Sequence, residues 1–163
     1  MVTFNLAYTS PINKDGVTPV LKQHQVWRGL ELKVRRAQDF VSAIVKCEVL
    51  EENTLPDGTL VIKRRVRFAA DSTRKWVNET CVHYKPCRVV FQQEDGSTIT
   101  NVISKDPDGE LMMSYVFEWR HPDMDEGSEE AAQLEEKHLE MAKLAVESSI
   151  DIIRLRVTEG RVA

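Results

Sequence analysis

The fold is decided by the stretch from Gly127 to Gly160, which reads GSEEAAQLEEKHLEMAKLAVESSIDIIRLRVTEG. Ser128 is a candidate helix N-cap, and Gly160 is a typical stop signal. At about 100° per residue, one helix face carries the apolar residues Leu139, Ala142, Val146, Ile150, Ile153 and Val157, flanked by Ala131, Leu134, Ala145, Ser149 and Ile152. A helix of about 30 residues is about 45 Å long, so only a broad curved sheet could cover this face.

The chain before this helix alternates apolar and polar residues, which indicates β-strands. A first strand is predicted over residues 1–10, and two helical segments follow over 20–36 and 37–45. Six more strands are predicted over 46–52, 59–68, 75–84, 88–93, 97–104 and 111–120, with turn signals such as Ala70-Asp71-Ser72 and Asp95-Gly96 between them. The order predicts an α+β fold in which a curved, seven-stranded antiparallel sheet wraps around the C-terminal helix. No linker interrupts the pattern, so we expect a single domain over residues 1–163.

Composition and charge limit the classes of function. The 163 residues are 42% hydrophobic and 29% charged, as in globular proteins. No run approaches the ~20 apolar residues of a membrane span, and no signal peptide is recognisable, so we expect a cytoplasmic protein without a membrane partner. The net charge of −4 argues against nucleic acid as the partner. The pattern leaves the oligomeric state open.

Cofactor and metal chemistry find little support in the sequence. Cys81, His83 and Cys87 could approach one another, but they lack both C-x-x-C spacing and a fourth ligand, so we expect no metal site. Gly29 and Gly127 are isolated and form no phosphate-binding loop, and no G-x-S-x-G motif occurs. We therefore expect no cofactor.

Candidate ligand-binding residues lie on the predicted inner faces of the sheet and the long helix. A curved sheet over one helix tends to leave a cavity, and such cavities are apolar with a few convergent polar groups. Small side chains in the middle of the helix would leave room for a ligand. The candidates are Arg64, Glu79, Asn101, Met113, Tyr115 and Trp119 on the strands, and Ala142, Ala145 and Ser149 on the helix.

Arg64 is in phase with the apolar residues of its strand and needs an anion if it points inward. Glu79 on the next strand is the natural candidate. The two residues are either a buried ion pair that specifies the fold, or an arginine that binds a carboxylate or phenolate of the ligand with Glu79 behind it. Asn101 can donate and accept hydrogen bonds at once, so it could orient a carbonyl group.

Glu135 and His138 are the candidate catalytic residues. They lie three residues apart and fall in the sector of the apolar stripe, so Glu135 could hold the imidazole of His138 in position. A partly buried imidazole can transfer protons near neutral pH, although a hydrogen-bonded core histidine is the commoner outcome.

Four segments resemble a known family: VWRGLELKVRRAQDFVSAI (26–44), DGSTITNVIS (95–104), MSYVFEWRHP (113–122) and EGSEEAAQLEEKHLEMAKLAVESSIDIIR (126–154). The family is small, mostly uncharacterised, and typified by the acetylaranotin-cluster protein L of filamentous fungi. The element order resembles the helix-grip arrangement of the START-like (SRPBCC) superfamily, which includes birch-pollen-allergen-type proteins and aromatic polyketide cyclases. The resemblance implies this fold over nearly the whole chain and work on specialised metabolites, but it supplies no catalytic signature.

Three functions are consistent with these patterns. The leading one is binding of a small hydrophobic molecule, aromatic or derived from a polyketide or peptide, by a cofactor-independent cyclase, dehydratase or isomerase. The second is a non-catalytic carrier with the same cavity. The third is a protein-binding module, for which the predicted outer strip of Lys63, Arg65 and Arg67 is the candidate surface.

Overall fold

A computed structural model describes residues 1–69 and 76–163. Its elements are β1 (Val2–Pro11), α1 (Gln23–Arg35), a 3-10 turn (Ala37–Asp39), β2 (Ile44–Thr54), β3 (Leu60–Phe68), β4 (Val77–Tyr84), β5 (Arg88–Gln93), β6 (Thr98–Lys105), β7 (Leu111–His121) and α2 (Glu129–Thr158). The strands form one antiparallel sheet in the order β1-β7-β6-β5-β4-β3-β2. The predicted turn at Ala70-Asp71-Ser72 and the predicted strand start at residue 75 lie outside the described residues.

The predicted helix-grip architecture is confirmed, with one correction. The second short helix is present but shorter than the predicted 37–45, since only Ala37–Asp39 forms a 3-10 helix and β2 already begins at Ile44. Ile44 pairs with Phe68 across β2 and β3 and is 8% exposed. A short apolar run that contains β-branched residues fits either helix or strand, and here the pairing with β3 decides.

Helix α2 begins as predicted, because the Ser128 hydroxyl accepts a hydrogen bond from the Ala131 amide at 3.1 Å. The helix packs against β1, β7 and α1. Its buried face consists of Ala131, His138, Ala142, Val146, Ser149, Ile150 and Ile153. Leu139, predicted on this face, is 50% exposed. Near its C-terminal end α2 meets α1 so closely that a Cβ on Gly29 would lie 2.5 Å from Ile153 Cγ1, so glycine is required at this crossing.

Strand register brings polar residues together on the inner face. Arg64 on β3 lies opposite Glu79 on β4, and Asn101 on β6 lies opposite Tyr115 on β7. Because side chains alternate along a strand, the apolar neighbours of these residues at every second position also face α1 and α2. The sheet thus surrounds a few polar groups with a hydrophobic core.

In the described part of the chain, no helix has the length and apolar character that crossing a bilayer requires.

Candidate functional site

A buried lysine lies at the centre of the interior. Lys33 on α1 is 6% exposed, and its Nζ donates hydrogen bonds to Asn101 Oδ1 at 2.8 Å and to Tyr115 Oη at 3.0 Å. The same nitrogen lies 4.3 Å from the centroid of the Tyr115 ring. Ser149 on α2 is fully buried beside the phenol. We call Lys33, Asn101, Tyr115 and Ser149 the interior polar cluster.

One atom of the interior polar cluster lacks a protein partner and another is poorly placed. Asn101 Nδ2 is buried without a hydrogen-bond partner within residues 1–69 and 76–163, and the buried Ser149 Oγ lies near the Tyr115 phenol without reaching good hydrogen-bond geometry. More than nine in ten buried polar groups in proteins are hydrogen-bonded, because an unsatisfied one costs about 1–3 kcal/mol. A polar ligand atom that hydrogen-bonds to such a group would remove this cost and thereby gain binding free energy.

Burial sets the protonation of the interior polar cluster. Burial first, and then the nearby positive charge of Arg64, lower the pKa of Lys33 from its usual 10.5 to about 7, against smaller opposing effects of Glu79 and Cys81. Burial raises the pKa of the Tyr115 phenol, and the Ser149 hydroxyl opposes that shift. At neutral pH the lysine is therefore partly a neutral amine, while the tyrosine keeps its proton.

Arg64 and Glu79 form the buried ion pair that was one of the two predicted alternatives. Arg64 Nη2 and Nε lie 2.9 and 3.1 Å from Glu79 Oε1, and the side chains are 4% and 3% exposed. Arg64 Nη1 donates to the carbonyl oxygens of Val34 and Lys33, at 2.8 and 3.2 Å, while Gln93 Nε2 donates to Glu79 Oε2. The guanidinium thus satisfies orphan carbonyls in the last turn of α1 and fixes the turn that carries Lys33.

Four residues on the inner side of the sheet and of α2 are half-buried rather than fully buried. Gln93, Ile99 and Trp119 point to the inner face of the sheet yet stay half-buried, as does Ala145 on α2. Ile99, Trp119 and Ala145 also pack against the hydrophobic core. We call these four residues the inner groove. Ile99 precedes Asn101 by two positions on the same face of β6, so the inner groove lies one side-chain row from the interior polar cluster.

His138 faces inward as predicted, but Glu135 does not. His138 is 8% exposed and its Nε2 lies 3.1 Å from His121 Nε2, whereas Glu135 is exposed. The His138 ring packs 4.0 Å from the Trp119 ring centroid. Burial, and then the neighbouring His121, lower the pKa of His138 to about 4. The imidazole is therefore neutral at pH 7 and lacks the predicted carboxylate beside it.

Other predicted residues divide between core and groove. Met113 and Ala142 are 0% and 1% exposed and pack in the core, while Trp119 and Ala145 line the inner groove. Lys33 was not predicted. A signal existed, because Lys33 follows Leu30 by three positions and precedes Val34, on the apolar face of α1.

Two of the three basic residues of the predicted outer strip are paired within the sheet. Lys63 and Arg65 point outward as predicted, but they pair with Glu51 and Glu48 of β2 at 3.4 and 2.6 Å. Their charge is thereby neutralised within the sheet. A separate surface cleft of about 480 Å³ lies beside Trp27 and Arg28 of α1 and the turn at Lys85.

Comparison with known proteins agrees with the fold and with the resemblance noted in the sequence. The acetylaranotin biosynthesis cluster protein L of Aspergillus terreus is 29% identical over 159 residues, which are 97% of this chain and 92% of that protein. Zhui aromatase/cyclase from a Streptomyces species is 18% identical, with a TM-score of 0.56 and 96% of each chain covered. The di-domain ARO/CYC BexL of the BE-7585A biosynthetic pathway is 14% identical with a TM-score of 0.61, covering 93% of this chain, which spans 49% of BexL. These two likenesses show a shared fold. Residues 6–160 match the family described as acetylaranotin biosynthesis cluster protein L, and the chain belongs to that family.

Proposed function

We propose that this protein binds a small aromatic or polyketide-type molecule between α2 and the sheet, with a carbonyl or hydroxyl oxygen of the ligand at the interior polar cluster. The observation that carries the proposal is the unpartnered buried Asn101 Nδ2, beside Lys33, Tyr115 and Ser149. A ligand oxygen that accepts from Asn101 Nδ2 would remove the cost of leaving that group unsatisfied.

The surroundings of the interior polar cluster suit an aromatic ligand. Ile99, Trp119 and Ala145 are half-buried apolar or aromatic residues of the inner groove, and they would supply the walls of the binding site next to Asn101. Apolar walls with a few placed donors are the usual composition of a small-molecule site, in which the donors fix the orientation. A planar molecule would bury its rings in the groove and direct an oxygen to the polar end.

The cluster also provides the groups for proton transfer without a cofactor. Tyr115 is a proton donor, and the neutral fraction of Lys33 is a proton acceptor 3.0 Å away. A carbonyl that is polarised by Asn101 and Tyr115 enolises more readily, because charge develops on its oxygen next to fixed donors. Enolisation is the step that cyclisation, dehydration and isomerisation of polyketide-type compounds share, and this is the reaction class we propose.

The relatives support the same class of ligand. One relative's name places it in a biosynthesis cluster, and two solved structures of similar fold are described as aromatase/cyclases. A carrier that uses the same groove is the alternative. It would share the binding behaviour of the enzyme but would release every substrate unchanged.

Enlarging Ala145 tests the proposed binding site. Ala145→Phe is expected to weaken binding of emodin, an aromatic polyketide, by tenfold or more, on the order of 1.4 kcal/mol, because the ring fills the inner groove. The matched control is Leu144→Phe, since Leu144 is the neighbouring residue on α2 and is 59% exposed. Fluorescence titration of emodin measures both affinities. Equal affinities in Ala145→Phe and the wild type would overturn the proposed site.

A further inference from the structure

We infer that Lys33 is a covalent nucleophile, whose amine condenses with a ketone of the bound ligand to form an imine. The inference rests on the proposed function, because it names ketones as the substrate class of the same site. The placement suits a nucleophile, because the Tyr115 phenol and the Asn101 amide, which can polarise a ketone oxygen, lie next to the same nitrogen.

The first support is the position of the amine. Lys33 Nζ lies among buried groups, with Asn101 Oδ1 at 2.8 Å, Tyr115 Oη at 3.0 Å and the Phe91 ring centroid at 5.5 Å. None of these partners is a carboxylate, and the nearby Glu79 offsets only part of the effect of burial and of Arg64 on the pKa of the amine. A buried lysine near another cation, here Arg64, is the arrangement that activates amines for imine formation.

The second support is the set of groups around the amine. Imine formation needs an acid for the ketone oxygen and a group that orients the amine. Tyr115 Oη is within hydrogen-bond distance of Nζ and keeps its proton at neutral pH, and Asn101 Oδ1 accepts from the same nitrogen. Asn101 Nδ2, which has no partner in the described part of the chain, is the donor available to the oxygen under attack.

The step balances without a further reactant. The lone pair of the neutral Lys33 amine forms a bond to the carbonyl carbon, and the oxygen takes a proton from Tyr115 to give a carbinolamine. The nitrogen proton lost from the adduct returns to the phenolate. Tyr115 then protonates the hydroxyl group, which leaves as water, and the second nitrogen proton returns to the Tyr115 phenolate as the imine forms. Overall, amine and ketone yield imine and water.

Reductive trapping tests the inference. The native protein is incubated at pH 7 with benzylacetone, an aryl-substituted methyl ketone, and sodium cyanoborohydride, and peptide mass spectrometry measures the alkylation of each lysine. Lys33 is expected to be modified roughly tenfold or more above the exposed Lys85 and Lys105, because burial lowers the pKa of Lys33 to about 7 and leaves part of its amine neutral at that pH. In urea this preference is expected to vanish.

Two variants separate imine chemistry from simple exposure. Tyr115→Phe is expected to lower trapping at Lys33 about tenfold while Lys85 is unaffected. The matched control Tyr84→Phe, at a tyrosine that is 41% exposed, is expected to leave trapping unchanged. Benzylacetone binding is measured by displacement of emodin. If benzylacetone binds but Lys33 stays unmodified, the imine is overturned and the proposed function stands. A failure of both benzylacetone and emodin to bind would overturn both.

Discussion

Glu79→Ala is expected to lower the free energy of unfolding by about 3–5 kcal/mol, because it leaves the Arg64 guanidinium charged and buried without its partner. Glu79 Oε1 accepts from Nε and Nη2 of Arg64, and both side chains are almost fully buried. The loss should reach α1 as well, because the same guanidinium binds the Lys33 and Val34 carbonyls. Equilibrium urea unfolding measures the change.

Two further variants show whether the charge itself is responsible. In the double variant Arg64→Met with Glu79→Leu, both charges are gone, so part of the lost stability should return, while the Lys33 and Val34 carbonyls lose the guanidinium. Glu118→Ala removes the partner of Arg120 in a pair whose side chains are 33% and 44% exposed. That loss should stay within about 1 kcal/mol. A Glu79→Ala loss as small as that of Glu118→Ala would contradict the buried ion pair.

Lys33→Met is expected to remove a rise of stability with pH between about pH 7 and 10.5. The folded-state pKa of Lys33 lies at about 7, below its usual 10.5. Below pH 7 the lysine is protonated in both states, and the cost of burying its charge is full. Between the two values the unfolded chain binds more protons, so this lysine makes the free energy of unfolding rise by about 1.4 kcal/mol per pH unit.

The measurement is the difference in unfolding free energy between wild type and Lys33→Met at several pH values. Cys81 and Tyr115 have raised pKa values, so their titration lowers the unfolding free energy as the pH rises into the alkaline range. Both proteins share this effect, and it cancels in the difference. Lys105→Met, at an exposed lysine, is the matched control and should give a flat difference. A flat difference for Lys33→Met as well would show that Lys33 is not buried as a shifted amine.

The sequence predicts the architecture well because long periodic signals determine it. The N-cap at Ser128, the apolar stripe of α2 and the alternation in each strand all require the sheet and helix that are observed. The helix predicted over residues 37–45 was too long, because the apolar run there is too short for its periodicity to separate helix from strand. Only the pairing of Ile44 with Phe68 distinguishes them, and pairing is a tertiary property.

The site was predicted less completely, because it depends on contacts between distant elements. Arg64 and Glu79 could be paired in advance, since they lie on consecutive strands. Lys33 could not be connected to Asn101 and Tyr115, which lie 68 and 82 residues away. Glu135 was placed inward by a periodicity that spans a wide sector, while the contacts of α2 with β1 and β7 leave that position exposed.

The most direct test of the central claim is a crystal structure of the complex with emodin. We predict a ligand oxygen within about 3 Å of Asn101 Nδ2 and the emodin rings between Ile99, Trp119 and Ala145. Emodin bound instead in the surface cleft beside Trp27 and Arg28, with the interior polar cluster unchanged, would contradict the account.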